Sequence, residues 1–196
     1  MKQLIIYCHP NPGSFCRGIL DTLVGELKTL SQDIRIRDLY AMHFDPALKA
    51  MDFEAFQKGE APRDIQIEQD HIRWADVLIF IYPLWWTGMP ALLKGYIDRV
   101  FSLGFAYAYE ATGPKGLLGG KKAYMITTMG APKPLYEQIG MLGSMGQTVD
   151  QGIAEFCALT SLGHQYFGNV PNSSDEERQA MLGEIRQAAH RLAAGN

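Results

Sequence analysis

The sequence has few of the features that mark secreted or membrane proteins. Its three cysteines, Cys8, Cys16 and Cys157, form no C-x-x-C pair and are odd in number. Such usage favours reduced thiols in a cytoplasm over a disulfide framework. No window approaches the ~18 apolar residues of a membrane span, and the apolar run before His9 is too short for a signal-peptide core. We therefore expect a cytoplasmic protein that is not an integral membrane protein.

The sequence also lacks a strong charge of either sign. The net charge is −3, and charged residues make up 20% of the 196 positions. This balance gives no electrostatic reason to expect a nucleic-acid or anionic-membrane partner. It also argues against a dedicated electron carrier, which usually docks through a strongly one-signed face.

Two common nucleotide-binding motifs are absent as well. There is no G-x-x-x-x-G-K-[ST] and no G-x-G-x-x-G, so neither a P-loop nor a Rossmann dinucleotide site is indicated. We predict no metal site.

What the sequence does contain is an alternation of strand-like and helical segments. The expected strands are Gln3 to Tyr7, Asp33 to Leu39, Val77 to Tyr82, Ala123 to Thr128 and Gly163 to Phe167. Strand alternating with helix predicts a mostly parallel sheet that is covered on both faces. Five strands indicate an α/β, flavodoxin-like doubly wound sheet in the order 2-1-3-4-5. We assign residues 1–196 to one domain.

Apolar residues recur at helical spacing between these strands. The four predicted stripes are Leu20, Leu23, Val24, Leu27 and Leu30; Leu92, Leu93, Tyr96, Ile97, Val100 and Phe101; Val149, Ile153, Phe156 and Cys157; and Met181, Ile185, Ala188, Ala189 and Leu192. Ser174 and Glu177 have the spacing of a capping box at the start of the last helix. The segment from Tyr40 to Asp70 is the least periodic, and we expect an irregular excursion there.

Ligands of such sheets bind outside the carboxyl ends of the strands, which directs attention to three loops. After the first strand, His9 and Ser14 are placed to contact a phosphate at a helix start. The alternative is a Pro/Gly turn in which Ser14 only caps the helix.

The second loop contains Trp85 and Trp86, whose large rings suit the wall of a site for a flat aromatic ligand. Taken singly, each tryptophan is better explained as ordinary core, and it is their pairing at the carboxyl end of a strand that favours the ligand site. In the following helix we expect Lys94, Asp98 and Arg99 to lie on a solvated face with a local ion pair.

The third loop is long and rich in Gly and Pro, which is typical of functional connections. Thr127, Thr128 and Gly130 offer hydroxyl and backbone N–H groups, and Tyr136 offers a phenol. These groups suit the polar edge of a heterocycle that becomes negative on reduction. The alternative for Tyr136 is a surface tyrosine on a flexible loop.

Motifs in all three loops resemble those of one family. They are HPNPGSF, ADVLIFIYPLWWTGMPALLKGYIDRVF, GFAYAY, KGLLGGKKAYMITTMG and, near Cys157, FCAL. In this order they resemble the flavodoxin-fold NAD(P)H:quinone oxidoreductases, the DT-diaphorases and their bacterial relatives. The resemblance runs through most of the chain, and the middle motif is specific.

The resemblance implies a bound flavin, FAD or FMN, and NAD(P)H as electron donor. The implied cofactor-binding residues are His9, Ser14, Phe15, Cys16, Pro83, Leu84, Trp85, Trp86, Thr127, Thr128, Met129, Gly130, Tyr136 and Arg178. Tyr136 is the implied catalytic residue and would stabilise the anionic reduced flavin. The implied substrate pocket comprises Trp86, Thr87, Tyr107, Tyr109 and Leu142. Tyr107 and Tyr109 match aromatic residues that reach over the partner subunit's flavin, which implies a homodimer with shared active sites.

The implied reaction is a ping-pong two-electron transfer from NAD(P)H through the flavin to a quinone or similar acceptor. The sequence departs from the family at four positions, where Leu142 replaces a histidine, Cys16 an asparagine, Met129 a glycine and Thr87 an aromatic residue. Met129, Leu142 and Thr87 together imply a differently shaped acceptor pocket, and none of the three removes the flavin site. One alternative function is a regulatory or ancillary flavoprotein of a membrane transport system with little turnover. Another is a flavodoxin-like one-electron carrier.

Overall fold

The computed structural model describes residues 1–195, in which a five-stranded parallel sheet forms the centre. In chain order the strands are β1 (Lys2–Tyr7), β2 (Asp33–Asp38), β3 (Val77–Pro83), β4 (Tyr107–Glu110), β5 (Gly113–Gly116), β6 (Lys122–Thr128) and β7 (Thr160–Phe167). The sheet order is β2-β1-β3-β6-β7, and β4 and β5 form a separate antiparallel hairpin. With the hairpin set aside, the predicted order 2-1-3-4-5 and the flavodoxin-like class are confirmed.

The helices surround the sheet. They are α1 (Phe15–Thr29), α2 (Ala50–Gln57), α3 (Arg63–Trp74), α4 (Ala91–Val100), α5 (Lys133–Gln138), α6 (Met141–Gly146) and α7 (Asp175–Ala194), with a π-helix at Gln147–Glu155 and a 3₁₀ turn at Val170–Asn172. The first, second and fourth predicted stripes fall on α1, α4 and α7. The predicted capping box is present, because the Ser174 hydroxyl accepts the Glu177 N–H and the Glu177 carboxylate accepts the Ser174 N–H.

Two apolar layers cover the two faces of the sheet. Ile5 and Tyr7 of β1 pack with α1 and α7, whereas Leu4 and Ile6 pack with α3 and α4. Successive side chains of a strand point to opposite faces, so a strand covered on both faces must be apolar throughout. All seven residues of β3 are accordingly buried. The central strands thereby place their carboxyl ends side by side at one edge.

The prediction of an irregular segment from Tyr40 to Asp70 is wrong, because α2 and most of α3 lie within it. The inner face of α3 contains polar residues, which conceal its helical periodicity. Glu68 is buried in an ion pair with Arg37, and buried Gln69 donates from Nε2 to the Val100 carbonyl at 3.1 Å.

The prediction that Arg99 lies on a solvated face is also wrong, although the exposed Lys94–Asp98 ion pair of α4 is present. The Arg99 side chain is 4% exposed and is held by Asp52 of α2 and Asp64 of α3. The buried Asp52 carboxylate and the exposed Asp64 carboxylate both accept from the guanidinium, and the spacing of polar residues on α4 does not reveal such distant partners.

The third predicted stripe forms a helix of a different type. Residues Gln147–Glu155 are π-helical, and Phe156, which we placed in the apolar face, is exposed. The long third loop contains the short helices α5 and α6. The fifth strand of the sheet begins at Thr160, three residues before the predicted start at Gly163. A register shift and the positive φ of Gly163 (130°) interrupt the alternation of the strand, so the sequence pattern conceals its first residues.

Candidate functional site

A cavity of about 400 Å³ lies at the carboxyl edge of the sheet, between the loops that follow β1, β3 and β6. This volume falls in the range of small-molecule sites. The predicted residues that line this edge cavity are His9, Phe15, Cys16, Pro83, Leu84, Trp85, Thr128, Met129 and Gly130. Val170 and Pro171 also line it and were missed. The available signal was the turn sequence NVPN directly after the fifth strand of the sheet.

The first turn of α1 borders the edge cavity. Ser14 is its N-cap, with its Oγ accepting the Arg17 N–H at 3.2 Å and lying 3.4 Å from the Tyr7 hydroxyl. Ser14 thus caps α1, and its contact with a phosphate stays a prediction. The N–H groups of Phe15 and Cys16 lie in a first helical turn, where backbone donors have no intrahelical acceptor. This helix start therefore offers donors to an anionic group.

His9 stands at the junction of the first and second loops. Its Nδ1 accepts the Asn11 N–H at 3.0 Å, so the neutral ring carries its proton on Nε2. Burial lowers the pKa of His9, which keeps the ring neutral at pH 7. The ring meets Trp85 edge-on at a centroid distance of 6.1 Å. His9 therefore supplies a neutral N–H donor beside an aromatic wall.

Cys16 and Thr128 connect α1 to the end of β6. The Cys16 Sγ lies 3.2 Å from the Thr128 Oγ1, and both side chains are buried. Burial raises the pKa of the Cys16 thiol to about 11, partly offset by the Thr128 contact. The thiol is therefore a small, uncharged lining group.

The two tryptophans of the second loop occupy a tight turn. Trp85 and Gly88 exchange backbone hydrogen bonds, both at 3.1 Å. Between them Trp86 and Thr87 have φ values of 52° and 59°, the left-handed pattern of a type I′ turn. Neither is the Gly or Asn that favours such a turn, so the loop is strained. Trp85 faces the edge cavity, whereas the Trp86 side chain is fully exposed, which excludes the core interpretation for Trp86.

Thr127 and Thr128 point in opposite directions, as neighbours on a strand must. Thr128 lines the edge cavity, whereas the fully buried Thr127 points to the other face, where its Oγ1 lies 3.4 Å from the His164 Nε2. The structure therefore gives these two predicted residues different surroundings.

The remaining predicted residues lie outside the lining of the edge cavity. Tyr136 on α5 and Leu142 on α6 are half-buried. Arg178 donates from Nε to the Ser173 Oγ at 3.1 Å and from Nη2 to the Val170 carbonyl at 3.2 Å. Arg178 thus fixes the segment after β7, whose residues Val170 and Pro171 line the edge cavity.

Tyr107 and Tyr109 line a different depression, of about 360 Å³, between α4 and the π-helix. The Tyr107 ring packs on both Tyr109 and Phe156, with centroid distances of 5.8 and 5.3 Å. Tyr109 is 69% exposed and Phe156 is 38% exposed. We name this depression the aromatic groove.

Within residues 1–195, no helix combines the length and apolar character of a bilayer crossing. The same residues contain no cluster of three or more side chains suited to hold a metal ion.

The sheet order defines a flavodoxin-like fold, and the edge cavity lies at its switch point, where ligands of such sheets bind. Residues 1–189 match the family described as Flavodoxin-like fold. The chain is 37% identical to an uncharacterized NAD(P)H oxidoreductase of Haemophilus influenzae, over 93% of this chain and 91% of that protein. It is 32% identical to the human ribosyldihydronicotinamide dehydrogenase [quinone], over 92% of this chain and 87% of that protein.

A solved structure agrees with these relatives. The NAD(P)H:quinone oxidoreductase from Methanothermobacter marburgensis superposes with a TM-score of 0.89 at 28% identity and covers 98% of this chain and 96% of its own. The chain therefore belongs to the flavodoxin-fold NAD(P)H:quinone oxidoreductase family. The resemblance noted in the sequence is confirmed.

Proposed function

We propose that this protein is a flavin-dependent NAD(P)H:quinone oxidoreductase of the cytoplasm. The observation that carries the proposal is the edge cavity, which joins an aromatic wall at Trp85 to the open N-terminal turn of α1. A flavin requires both features, because its ring system is flat and largely apolar while its phosphate is anionic. The family's relatives include enzymes named for NAD(P)H and quinone, which supports the same substrates here.

The residues present fit this cofactor. Pro83, Leu84 and Trp85 would border the ring and exclude water from one side. Thr128 and the exposed backbone of Gly130 would meet its polar edge. The first turn of α1 and the Nε2–H of His9 would hold the phosphate side. When bound, the flavin supplies the ability to accept a hydride from a nicotinamide and to pass two electrons to an acceptor.

The protein's own contribution is positioning and exclusion of water. NAD(P)H and the acceptor would use the same open side of the edge cavity in turn. We propose that Tyr136 donates a hydrogen bond where negative charge develops. Trp86, Thr87 and Leu142 would shape the acceptor pocket.

We also propose a homodimer with shared sites. The fully exposed Trp86 and the largely exposed Tyr109 offer large aromatic surfaces to a partner subunit. A partner's aromatic groove, carrying Tyr107 and Tyr109, would then complete the acceptor pocket beside Trp86.

The direct test is the visible spectrum of the purified protein, followed by the mass of the released chromophore, which separates FMN from FAD. Steady NAD(P)H oxidation with a soluble quinone supports the proposed reaction. A tightly bound flavin with negligible turnover would favour the ancillary flavoprotein instead. A colourless protein that takes up neither flavin overturns the proposal.

A further inference from the structure

A second cavity lies at the carboxyl edge of the sheet, beside the ends of β1 and β2. It has a volume of about 370 Å³ and shares His9 with the edge cavity. Its lining includes Tyr7, Pro10, Pro12, Arg17 and Asp38. We name it the strand crevice. Ligands of doubly wound sheets bind outside the carboxyl ends of the strands, and the strand crevice occupies such a place next to the proposed flavin site.

Asp38 brings an acceptor to the strand crevice. Tyr7 and Asp38 are register partners at the ends of β1 and β2. The Asp38 Oδ1 accepts the Ala41 N–H at 3.1 Å, which fixes the carboxylate at the turn after β2. Its Oδ2 has no hydrogen-bond partner within residues 1–195. Because a carboxylate only accepts hydrogen bonds, this oxygen suits a ligand that offers a donor.

Arg17 brings a cation to the same crevice from the start of α1. Its Nε donates to Asp21 at 2.8 Å, and its two Nη groups have no partner in the described part of the chain. Among the same residues, the ion pair with Asp21 is the only one that Arg17 forms, so Arg17 and Asp38 do not pair with each other. The strand crevice thus presents a cation and a carboxylate as separate binding groups.

Tyr7 and the two prolines complete the walls. The Tyr7 side chain is buried, and its hydroxyl lies 3.4 Å from the Ser14 Oγ. Burial raises the pKa of Tyr7, and the Ser14 hydroxyl only partly offsets it, so the phenol keeps its hydrogen at pH 7. The rings of Pro10 and Pro12 add rigid apolar surface. An apolar wall with a few convergent polar groups is typical of small-molecule sites.

The chemistry of these groups selects the ligand. Asp38 requires a donor such as a sugar hydroxyl, whereas Arg17 suits a phosphoryl group. A ribose joined to a pyrophosphate offers both. In doubly wound sheets that bind dinucleotides, an acidic residue about 20 residues after the first turn accepts the ribose 2′-hydroxyl, and Asp38 stands at a comparable distance from Ser14. An inorganic phosphate or an acidic peptide would leave Asp38 facing a negative group.

We propose that the strand crevice binds the ribose and pyrophosphate of an adenosine diphosphate group, with Asp38 accepting from the 2′-hydroxyl and Arg17 binding a phosphoryl oxygen. NADH and FAD both contain this group, and the shared wall at His9 connects either of them to the edge cavity. The same contact favours NADH over NADPH, because the 2′-phosphate of NADPH would face the Asp38 carboxylate. This inference rests on the proposed function and adds a nucleotide subsite to it.

The first test is the ratio of kcat/KM for NADH to kcat/KM for NADPH in the flavin-loaded enzyme. We expect wild type to favour NADH and Asp38→Asn to lower the ratio by about tenfold, since a hydrogen bond to a charged group is lost and the repulsion of the 2′-phosphate disappears. The asparagine Oδ1 can still accept the Ala41 N–H, so the turn is kept. Asp33→Asn, an exposed position at the other end of β2, is the matched control and should keep the wild-type ratio.

The second test measures binding without turnover. Calorimetric titration of the flavin-loaded protein with adenosine 5′-diphosphate should give a single site, and adenosine 2′,5′-bisphosphate should bind more weakly. Asp38→Asn should weaken adenosine 5′-diphosphate by about tenfold and remove the preference between the two probes. Arg17→Gln should weaken both probes, because both carry a 5′-phosphoryl group.

The mass of the released chromophore separates the two sources of the group. With FMN bound, competition between adenosine 5′-diphosphate and NADH identifies the donor as the source. With FAD bound, a holoprotein that takes up no adenosine 5′-diphosphate, together with poorer FAD retention in Asp38→Asn, identifies the cofactor.

Two outcomes overturn this inference and leave the proposed function standing. One is an FMN-containing wild type that binds no adenosine 5′-diphosphate. The other is a folded, flavin-loaded Asp38→Asn whose NADH:NADPH ratio, nucleotide affinity and flavin retention all equal those of wild type. A wild type that takes up neither flavin overturns the proposed function, and this inference falls with it.

Discussion

Arg99 binds Asp52 through two parallel hydrogen bonds, from Nε to Oδ2 at 2.9 Å and from Nη2 to Oδ1 at 3.2 Å. The two side chains are 4% and 1% exposed. The Arg99 Nη1 also donates to Asp64 at 2.7 Å and to the Asp45 carbonyl at 2.9 Å. One buried guanidinium thus joins α4 to α2, to α3 and to the segment that precedes α2.

We expect Asp52→Asn to lower the free energy of unfolding by about 3–5 kcal/mol, because it leaves a buried cation without its main partner. Burial opposes ionisation of Asp52, but the hydrogen bonds from Arg99 outweigh it and lower its pKa. The stability from this lowered pKa is complete above the ordinary carboxyl range near pH 4 and is lost as the pH falls through the folded-state pKa. Urea denaturation at pH 7 and pH 3 measures both effects.

The matched control for this prediction is Asp98→Asn, which removes a carboxylate from the exposed pair with Lys94. An exposed pair contributes about 0–1 kcal/mol, so this variant should unfold near the wild-type midpoint. Equal losses from Asp52→Asn and Asp98→Asn would contradict the buried role of Asp52.

The parts of the fold that the sequence predicts are those built from local apolar pattern. Val77 to Ile81 is an uninterrupted apolar run because β3 is covered on both faces, and the leucines of α1 recur with helical spacing because one face is buried. These patterns need no knowledge of distant residues. The strand order followed from them with a general rule of α/β folds.

The parts that it does not predict depend on distant partners. α3 was missed because its buried face includes Glu68 and Gln69, whose partners come from β2 and from the end of α4. Arg99 was misplaced for the same reason. In the site, Thr128 and Trp85 were predicted at the edge cavity, but the His164 contact of Thr127 required the pairing of β6 with β7.

The three thiols should be almost inert in the folded protein. Burial raises the pKa of Cys8 to about 12 and those of Cys16 and Cys157 to about 11. Since the thiolate is the reactive form, the fraction available at pH 8 is lower than for an ordinary thiol by roughly a hundredfold or more. We expect slow labelling by a thiol reagent at pH 8 and fast labelling in urea at the same pH. Rapid labelling of Cys16 without denaturant would contradict its buried placement.

Trp86→Ala should weaken flavin or acceptor binding and leave the stability of the fold nearly unchanged. Since the side chain is fully exposed, its loss should change the free energy of unfolding by no more than about 0.5 kcal/mol. If Trp86 borders the flavin and acceptor, the same variant should retain less flavin through gel filtration or show a higher KM for quinone. Leu103→Ala, which removes an exposed apolar side chain after α4, is the control and should change neither. Unaltered flavin retention and KM in Trp86→Ala would leave the indole without a role in the site.

Thr87→Asn should relieve the strain of the same turn. Thr87 is β-branched and has a φ of 59°, a conformation that asparagine adopts more readily. We expect a gain in the free energy of unfolding of up to about 1 kcal/mol, measured by urea denaturation. Thr22→Asn, on the regular helix α1, is the control and should not stabilise the protein. A loss of stability in Thr87→Asn would show that the Thr87 methyl group or hydroxyl makes a contact that outweighs the strain.

Tyr136→Phe should slow electron transfer while the flavin stays bound. The substitution removes one phenolic donor from α5 and leaves the ring, and removal of a donor aimed at developing charge typically costs about a hundredfold or more in rate. Rapid-mixing absorbance at the flavin band gives the rate of reduction by NAD(P)H, and fluorescence quenching gives the flavin affinity. Tyr40→Phe removes a phenol from a half-buried position and serves as the matched control. Equal reduction rates in wild type and Tyr136→Phe would indicate that Tyr136 is an ordinary surface tyrosine. This outcome would not contradict the proposed flavin site.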